Sequence, residues 1–311
     1  MSLIVIEDLV SLRQHLAPWR LDGRIIALVP TMGNLHAGHL ALVREARRIA
    51  NRTLVSIFVN PLQFGPDEDL GSYPRTPERD RELLAAEGVE LLFAPSVQAV
   101  YPHGFREQVR VEVPGISDIL CGASRPGHFV GVATVVCKLL NMTQPDIAIF
   151  GNKDFQQLLV IRRLVEDLCL PVEVRGLATV REPDGLAMSS RNGYLSPAER
   201  ARAPLLYQSL CRAGGRLHAE LSVGVVERLG AEELAEDDFR PDYFSVRRAL
   251  DLQPATTRDQ DLVVLVAAYL GRVRLIDNLR VSLTHSGERV RISRFPRCHL
   301  GKFKDQDYFS L

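Results

Sequence analysis

Over roughly the first 180 residues, short runs rich in β-branched side chains alternate with stretches of helical spacing. Residues 25–29 form an apolar run ended by Pro30. After a glycine-containing turn, Leu40, Leu42, Val43, Ala46 and Ile49 recur at the spacing of one helix face. Residues 54–59 are a second run, stopped by Asn60 and Pro61. A helix is predicted over 83–87 and a third strand over 89–94. An apolar helix over 128–141 precedes a strand at 147–150 that ends at Gly151. From 154 to 168, Leu158, Ile161, Leu164, Val165 and Leu168 share one helical face, and 172–180 closes the region as a strand. Strands joined by helical crossovers predict an α/β fold with a doubly wound parallel sheet. Such sheets bind ligands outside the carboxyl ends of their strands.

The pattern changes near residues 181–185, where Glu182-Pro183-Asp184-Gly185 signals a turn. We expect one unit over 1–180 and a second, smaller α+β unit over 181–283. The latter has helices over 197–217 and 225–234 and strands over 243–246 and 262–270. Residues 284–311 read as a basic surface tail carrying Arg289, Arg291, Arg294, Arg297, Lys302 and Lys304. The tail is expected to be dispensable for catalysis.

Composition narrows the function classes. Thirty-eight basic residues balance 38 acidic ones in 311 residues, so no global field draws the chain to nucleic acid or a membrane. Anion binding must then come from individually placed groups. Cys121, Cys137, Cys169, Cys211 and Cys298 are scattered and form no CxxC or Cys/His cluster, which disfavours a disulfide framework or zinc site and suits a reducing compartment. No stretch approaches the ~18 uninterrupted apolar residues of a membrane span, and no targeting segment is evident. A soluble cytoplasmic protein is expected. Lysine is scarce: only Lys138, Lys153, Lys302 and Lys304 occur, so a lysine inside a motif stands out.

Four stretches could carry chemistry, and each follows a strand or the boundary. The first is Met32-Gly33-Asn34-Leu35-His36-Ala37-Gly38-His39. A glycine turn entering a helix brings backbone N–H groups to an anion, and two imidazoles there could donate to phosphate oxygens; alternatively they are loop and capping residues. The second, Asn60 to Gln63, offers neutral donors and acceptors suited to hydroxyl and carboxylate groups, or is simply a polar turn. The third is Gly151-Asn152-Lys153-Asp154, followed by Gln156 and Gln157, which point to different helix faces so that one faces a site. Asp154 also suits a helix N-cap. The fourth, Met188-Ser189-Ser190-Arg191, could close on a triphosphate across a cleft or be a solvated turn. Arg125 and His128 could lend charge. Asp80 is a candidate magnesium ligand within the charged run 78–82, a pattern more often a solvated face. No cysteine has the basic neighbours of a nucleophile.

With these in view, the chain resembles the pantothenate synthetase (pantoate–β-alanine ligase) family. The resemblance is carried by VPTMGNLHAGH, VSIFVNPLQFG, YPRT, SRPGHFVGVATVVCKLLN, FGNKDFQQL, DGLAMSSRNGYLS and LVAAYLGRVRLIDN, in order over residues 1–283. It implies a Rossmann-like ATP-binding domain of the nucleotidylyltransferase kind with a smaller lid, typically a homodimer. It also implies a two-step reaction with magnesium: ATP and pantoate give pantoyl adenylate and pyrophosphate, then β-alanine displaces AMP. By motif, Met32 to His39 would bind ATP, with His36 and His39 on phosphate and His39 as proton donor. Gly151, Asn152, Lys153 and Asp154 would hold the adenosine side, with Lys153 toward phosphate. Val180 would touch adenine, and Met188, Ser189, Ser190 and Arg191 would close over the triphosphate. Gln63 would bind pantoate and β-alanine, and Gln157 pantoate, with Asn60 and Arg125 as further candidates. Asn152 departs from the Glu of many relatives. Two rivals stand beside this assignment: a nucleotidylyltransferase that stops at a nucleotidyl product, and a nucleotide-binding module without catalysis.

Overall fold

The structure, a computed structural model, describes residues 3–66, 68–104 and 107–283; the expected basic tail lies outside them. In chain order the elements are β1 (Ile4–Ile6), α1 (Leu9–Leu21), β2 (Ile26–Thr31), α2 (Ala37–Ile49), β3 (Arg52–Ile57), α3 (Pro77–Ala86), β4 (Leu91–Phe93), α4 (Val97–Val100) and α5 (Cys121–Ser124). There follow α6 (His128–Thr143), β5 (Ile147–Gly151), α7 (Phe155–Asp167), β6 (Glu173–Leu177), α8 (Pro197–Arg202), α9 (Leu205–His218), α10 (Val223–Glu236), β7 (Phe239–Arg248), β8 (Asp261–Leu270) and β9 (Val273–Ser282).

The first six strands form one parallel sheet in the order β1-β4-β3-β2-β5-β6. Strand β2 is buried on both faces, which is why it reads as an unbroken apolar run rather than an alternating one. Ile26 and Leu28 join the core under α1, α6 and α7, whereas Ala27 and Val29 join the one under α2. Successive side chains of a strand point to opposite faces. The chain proceeds from β2 outward to β3 and β4, then returns to place β5 on the other side of β2. The order therefore reverses between β2 and β5, and a ligand crevice is expected at their carboxyl ends. The turns after these two strands hold Met32–His39 and Gly151–Asp154.

Strands β7, β8 and β9 form a separate antiparallel sheet. Leu262, Val264 and Val266 of β8 pack under α9 and α10, while Val263 and Leu265 face the other way, against Phe155 and Leu159 of α7. The small sheet is thus apolar on both faces, and its second face docks on the large sheet's helix layer. That docking carries β9 to the mouth of the crevice.

Some elements differ from the sequence pattern. Strand β1 precedes the expected first strand; it is short, and two of its three residues are exposed. Residues 197–217 divide into α8 and α9 at Pro204, which lacks the N–H that a continuous helix needs. Leu168, expected on the buried face of α7, lies beyond its end and is 48 % exposed.

One contact fixes how α6 meets the turn after β3. A Cβ on Gly131 would lie 2.3 Å from the Leu62 carbonyl oxygen and 2.7 Å from the Gln63 nitrogen. Only a residue without a side chain lets the helix approach this backbone. Gly131→Ala should cost roughly 1–3 kcal/mol, as overpacking generally does, read as a lower urea midpoint with unchanged slope. An unaltered midpoint would mean that α6 and the 61–63 turn are not held in contact.

Candidate active site

The loop after β2 is tied down before its helix begins. Thr31 Oγ1 donates to the Ser56 carbonyl at 2.9 Å and accepts from Gly33 N at 3.2 Å. Gly33 has φ +81° and Asn34 φ +50°, the left-handed region open to Gly and tolerated by Asn. A Cβ on Gly33 would sit 3.0 Å from Asp80 Oδ2. That carboxylate, on α3, accepts from Asn34 N and Leu35 N at 2.8 Å each and from Thr76 Oγ1 at 3.1 Å. Asp80 is 1 % exposed, which corrects its placement on a solvated face. With both oxygens already accepting from the protein, it does not fit the part of a magnesium ligand. Among the described residues, no three His, Cys, Asp or Glu side chains gather as a metal site.

His36 caps α2. Its Nδ1 accepts from Gly38 N at 3.1 Å, and His39 Nδ1 accepts from His36 N at 3.4 Å. The pair forms a reciprocal capping box built from imidazoles. A Cβ on Gly38 would fall 2.8 Å from His36 Cε1, so Gly38 makes room for the capping ring. Because each Nδ1 accepts, each proton resides on Nε2, leaving two neutral N–H donors. Burial, and then the positive charge of Lys153, lowers His36 to about 4. Burial, followed by His36 and Lys153, lowers His39 to about 3. The rings lie 4.1 Å apart. The capping alternative and the donor role are therefore compatible, since capping uses one nitrogen and frees the other.

Across the reversal, Asn152–Asp154 forms a 3₁₀ turn at the end of β5. Lys153 lines the cleft and makes no ion pair with a described residue. Of the two glutamines that follow, Gln156 is buried and fully engaged: it accepts from Cys121 N at 3.1 Å and donates to the Ile116 and Ile119 carbonyls at 2.7 Å. Gln157 is half-buried and faces the cleft.

The turn after β3 corrects one candidate. Asn60 is 1 % exposed and does not reach the cleft. It donates to the Gly131 carbonyl at 3.0 Å and to Gln63 Oε1 at 3.2 Å, and accepts from Tyr101 Oη at 2.7 Å. Its amide is consumed in orienting Gln63, whose Nε2 consequently faces Met32 Sδ at 2.9 Å on the cleft wall. His128 Nδ1 bonds the Gln63 carbonyl at 2.8 Å, leaving Nε2 to accept from Arg125 at 3.0 Å. Burial and the neighbouring guanidinium lower His128 to about 4.

The segment 64–73 supplies two carboxylates that the sequence pattern did not single out. Glu68 pairs with Arg125 at 2.5 Å, and Asp69 with Arg191 at 2.8 Å. The Met188–Arg191 segment meets the first loop through Ser190 Oγ, which donates to the Asn34 carbonyl at 3.3 Å, and Met188 N donates to the Val180 carbonyl at 3.0 Å.

Met32, His39, Gln63, Arg125, Lys153, Asp154, Gln157, Ser189 and Arg191 thus line one cleft of about 1470 Å³. Gly33, Asn34, Ala37, Gly38, Gly151, Asn152, Val180, Met188 and Ser190 form the turns around it, His36 sits beside His39, and the Leu35 side chain is in the core. Since folding depresses both imidazoles below their ordinary 6.5, their contribution to stability is complete above that value and is lost as pH falls toward about 4 and 3. In ¹⁵N-histidine NMR at about pH 5.5, where a free imidazole is mostly charged, His36 and His39 should both remain neutral with the proton on Nε2. Imidazolium signals for either would contradict the capping assignment.

The comparisons with known proteins bear on the same residues. The pantoate–β-alanine ligase family model matches residues 4–280. A pantothenate synthetase of Idiomarina loihiensis is 56% identical over 278 residues, 89% of this chain and 98% of that protein. One from Chromohalobacter salexigens is 56% identical over 281 residues, 90% and 99% of the respective chains. Among solved structures, a pantothenate synthetase from Thermus thermophilus superposes with a TM-score of 0.83 at 48% identity, covering 90% of this chain and 99% of that one. The Francisella tularensis pantoate–β-alanine ligase, solved with β-γ ATP and β-alanine, gives 0.76 at 32% identity over 89% and 97%. The chain belongs to the pantoate–β-alanine ligase family.

Proposed function

We propose that this cleft makes pantothenate from pantoate and β-alanine in two steps, with ATP lying across the reversal between β2 and β5. The observation that supports it most is a convergence on one cleft: the neutral imidazole Nε2–H donor of His39 with His36 beside it, the Lys153 ammonium with no ion-pair partner among the described residues, and the amides of Gln63 and Gln157. A pantoate carboxylate oxygen attacks the α-phosphorus, the bond to the bridging oxygen breaks, and pyrophosphate leaves. Charge then grows on the departing oxygens, where His39, His36 and Lys153 donate. Preorganised donors of this type are worth on the order of 10²–10³ in rate each. In the free enzyme His39 acts as a neutral hydrogen-bond donor rather than as an acid, because burial holds it unprotonated at neutral pH. In the second step the β-alanine nitrogen attacks the acyl carbon, the bond to AMP breaks, and the amine loses its proton. No enzyme nucleophile is needed; positioning supplies the advantage.

Arg125 and Arg191 rest on Glu68 and Asp69. An arriving triphosphate offers a denser negative charge, so we assign Arg191 to it after exchange from Asp69. Gln63, oriented by Asn60, and Gln157 select the small hydroxy acid. Binding of β-alanine, seen in the Francisella tularensis ligase complex, is assigned to the Gln63 side. Magnesium is assigned to the triphosphate as substrate counter-ion. The nucleotide unit is taken as residues 1–180 and the lid as 181–283, and a homodimeric, cytoplasmic protein with neither nucleic-acid nor membrane partners completes the proposal. Among the described residues, no helix is long and apolar enough to cross a membrane.

A nucleotidylyltransferase that stops at its nucleotidyl product would release pyrophosphate and no AMP, whereas this proposal requires AMP to appear when β-alanine is added. His39→Ala should slow single-turnover adenylate formation by on the order of 10²–10³, while supplied pantoyl adenylate still reacts with β-alanine at near the unaltered rate. Equal loss in both half-reactions would give the imidazole a general organising role instead.

A further inference from the structure

The Ile276-Asp277-Asn278 segment of β9 has no role in the chemistry above, yet it buries two polar side chains. Asp277 is 3 % and Asn278 9 % exposed. Burying such groups is unfavourable unless each is partnered, so the partners are informative.

Asn278 Nδ2 donates to the carbonyls of both Asn152 and Lys153, at 2.9 Å each. These carbonyls belong to the turn that aims Lys153 into the cleft, and one amide uses both of its protons to hold them. Asp277 faces the other loop. Its carboxylate accepts both terminal nitrogens of Arg181, at 2.5 and 3.0 Å, and also Asn278 N at 2.8 Å. Arg181 in turn donates to the Gly185 carbonyl at 3.1 Å and stacks on Tyr207, 3.5 Å from the ring centre. It pairs in β fashion with Ala187, one residue before Met188. Two adjacent residues of one strand therefore hold the Lys153 turn on one side and the base of the Met188–Arg191 segment on the other.

A buried ion pair is seldom more stabilising than apolar side chains of the same size. Its bidentate geometry does fix direction and distance. Docking of the small sheet on α7 would need only the apolar contacts of Val263 and Leu265. We propose that Asp277 and Asn278 are positioning residues for the first half-reaction, setting the Lys153 turn and the Arg181–Arg191 segment in register around the triphosphate. This rests on the assignment of Lys153 to ATP phosphate made above.

The test is a double-mutant cycle in the full-length enzyme, read as single-turnover adenylate formation and as KM for ATP. Lys153→Ala alone should slow adenylation by on the order of 10²-fold; no effect would remove the Lys153 assignment and this inference with it. Asn278→Ala should raise KM for ATP and slow adenylation by on the order of 10-fold, within the range of misplacement effects, with the reaction of supplied adenylate and β-alanine unchanged. In the Lys153→Ala background the same change should cost no more than about twofold, because the residue it positions is gone. Independent sites would instead show additive costs, so an undiminished loss in that background, or equal loss in both half-reactions of a folded variant, overturns the proposal. Should Asn278→Ala not fold, Asn278→Ser, with a shorter donor in a smaller side chain, is read by the same criteria.

Discussion

The carboxylate of Asp80, buried at the start of α3, accepts the backbone N–H groups of Asn34 and Leu35, and the geometry of the loop between β2 and α2 depends on that contact. Gly33 and Asn34 both adopt positive φ, a costly conformation for a side chain to hold unaided. The carboxylate compensates by engaging the two amides that this turn exposes. Only with the turn in place does His36 reach its N-cap position, and only then can its ring accept from Gly38 while His39 accepts from His36. The neutral Nε2–H donors of the cleft thus follow from a hydrogen bond made one strand away.

Electrostatics in the cleft divide along the same line. The imidazoles are held uncharged by burial and by the positive charge of Lys153, with His36 adding to the effect on His39, so each donates as a neutral group. Arg125 and Arg191 are charged but satisfied by Glu68 and Asp69. Lys153, on the cleft wall, makes no ion pair with a described residue. A site of this kind discriminates by charge density: a weakly anionic ligand gains little by competing with Asp69 for Arg191, whereas a triphosphate replaces that contact with a stronger one.

Much of this is legible in the residues. Strands β2 and β5 are largely apolar because they are buried on both faces, and the turns that follow β2, β3 and β5 hold most of the cleft. Periodicity misses what depends on distant partners. Strand β1 is too short and exposed to leave a pattern, and β9 interleaves Arg274, Asp277, Asn278 and Arg280 with its apolar positions, so it does not read as a core strand. Asp80 reads as one charge in a solvated run, since nothing local reveals that the Asn34 and Leu35 amides lie above it. Asn60 carries the expected chemistry for a ligand but spends it on Gly131, Tyr101 and Gln63. Glu68 and Asp69 give no signal at all, because a carboxylate that waits on an arginine resembles any loop acid. Family resemblance marks the IDN segment without assigning it a task; the two carbonyls it holds supply one.

The central claim is that the cleft activates pantoate with ATP before the amine takes part. It is tested most directly by positional isotope exchange in ATP labelled with ¹⁸O at the β-nonbridging oxygens, incubated with the enzyme and pantoate in the absence of β-alanine. Reversible adenylate formation predicts movement of label into the α–β bridge that requires pantoate. Absence of scrambling with pantoate present, while the complete mixture still turns over, would contradict a free-standing first step.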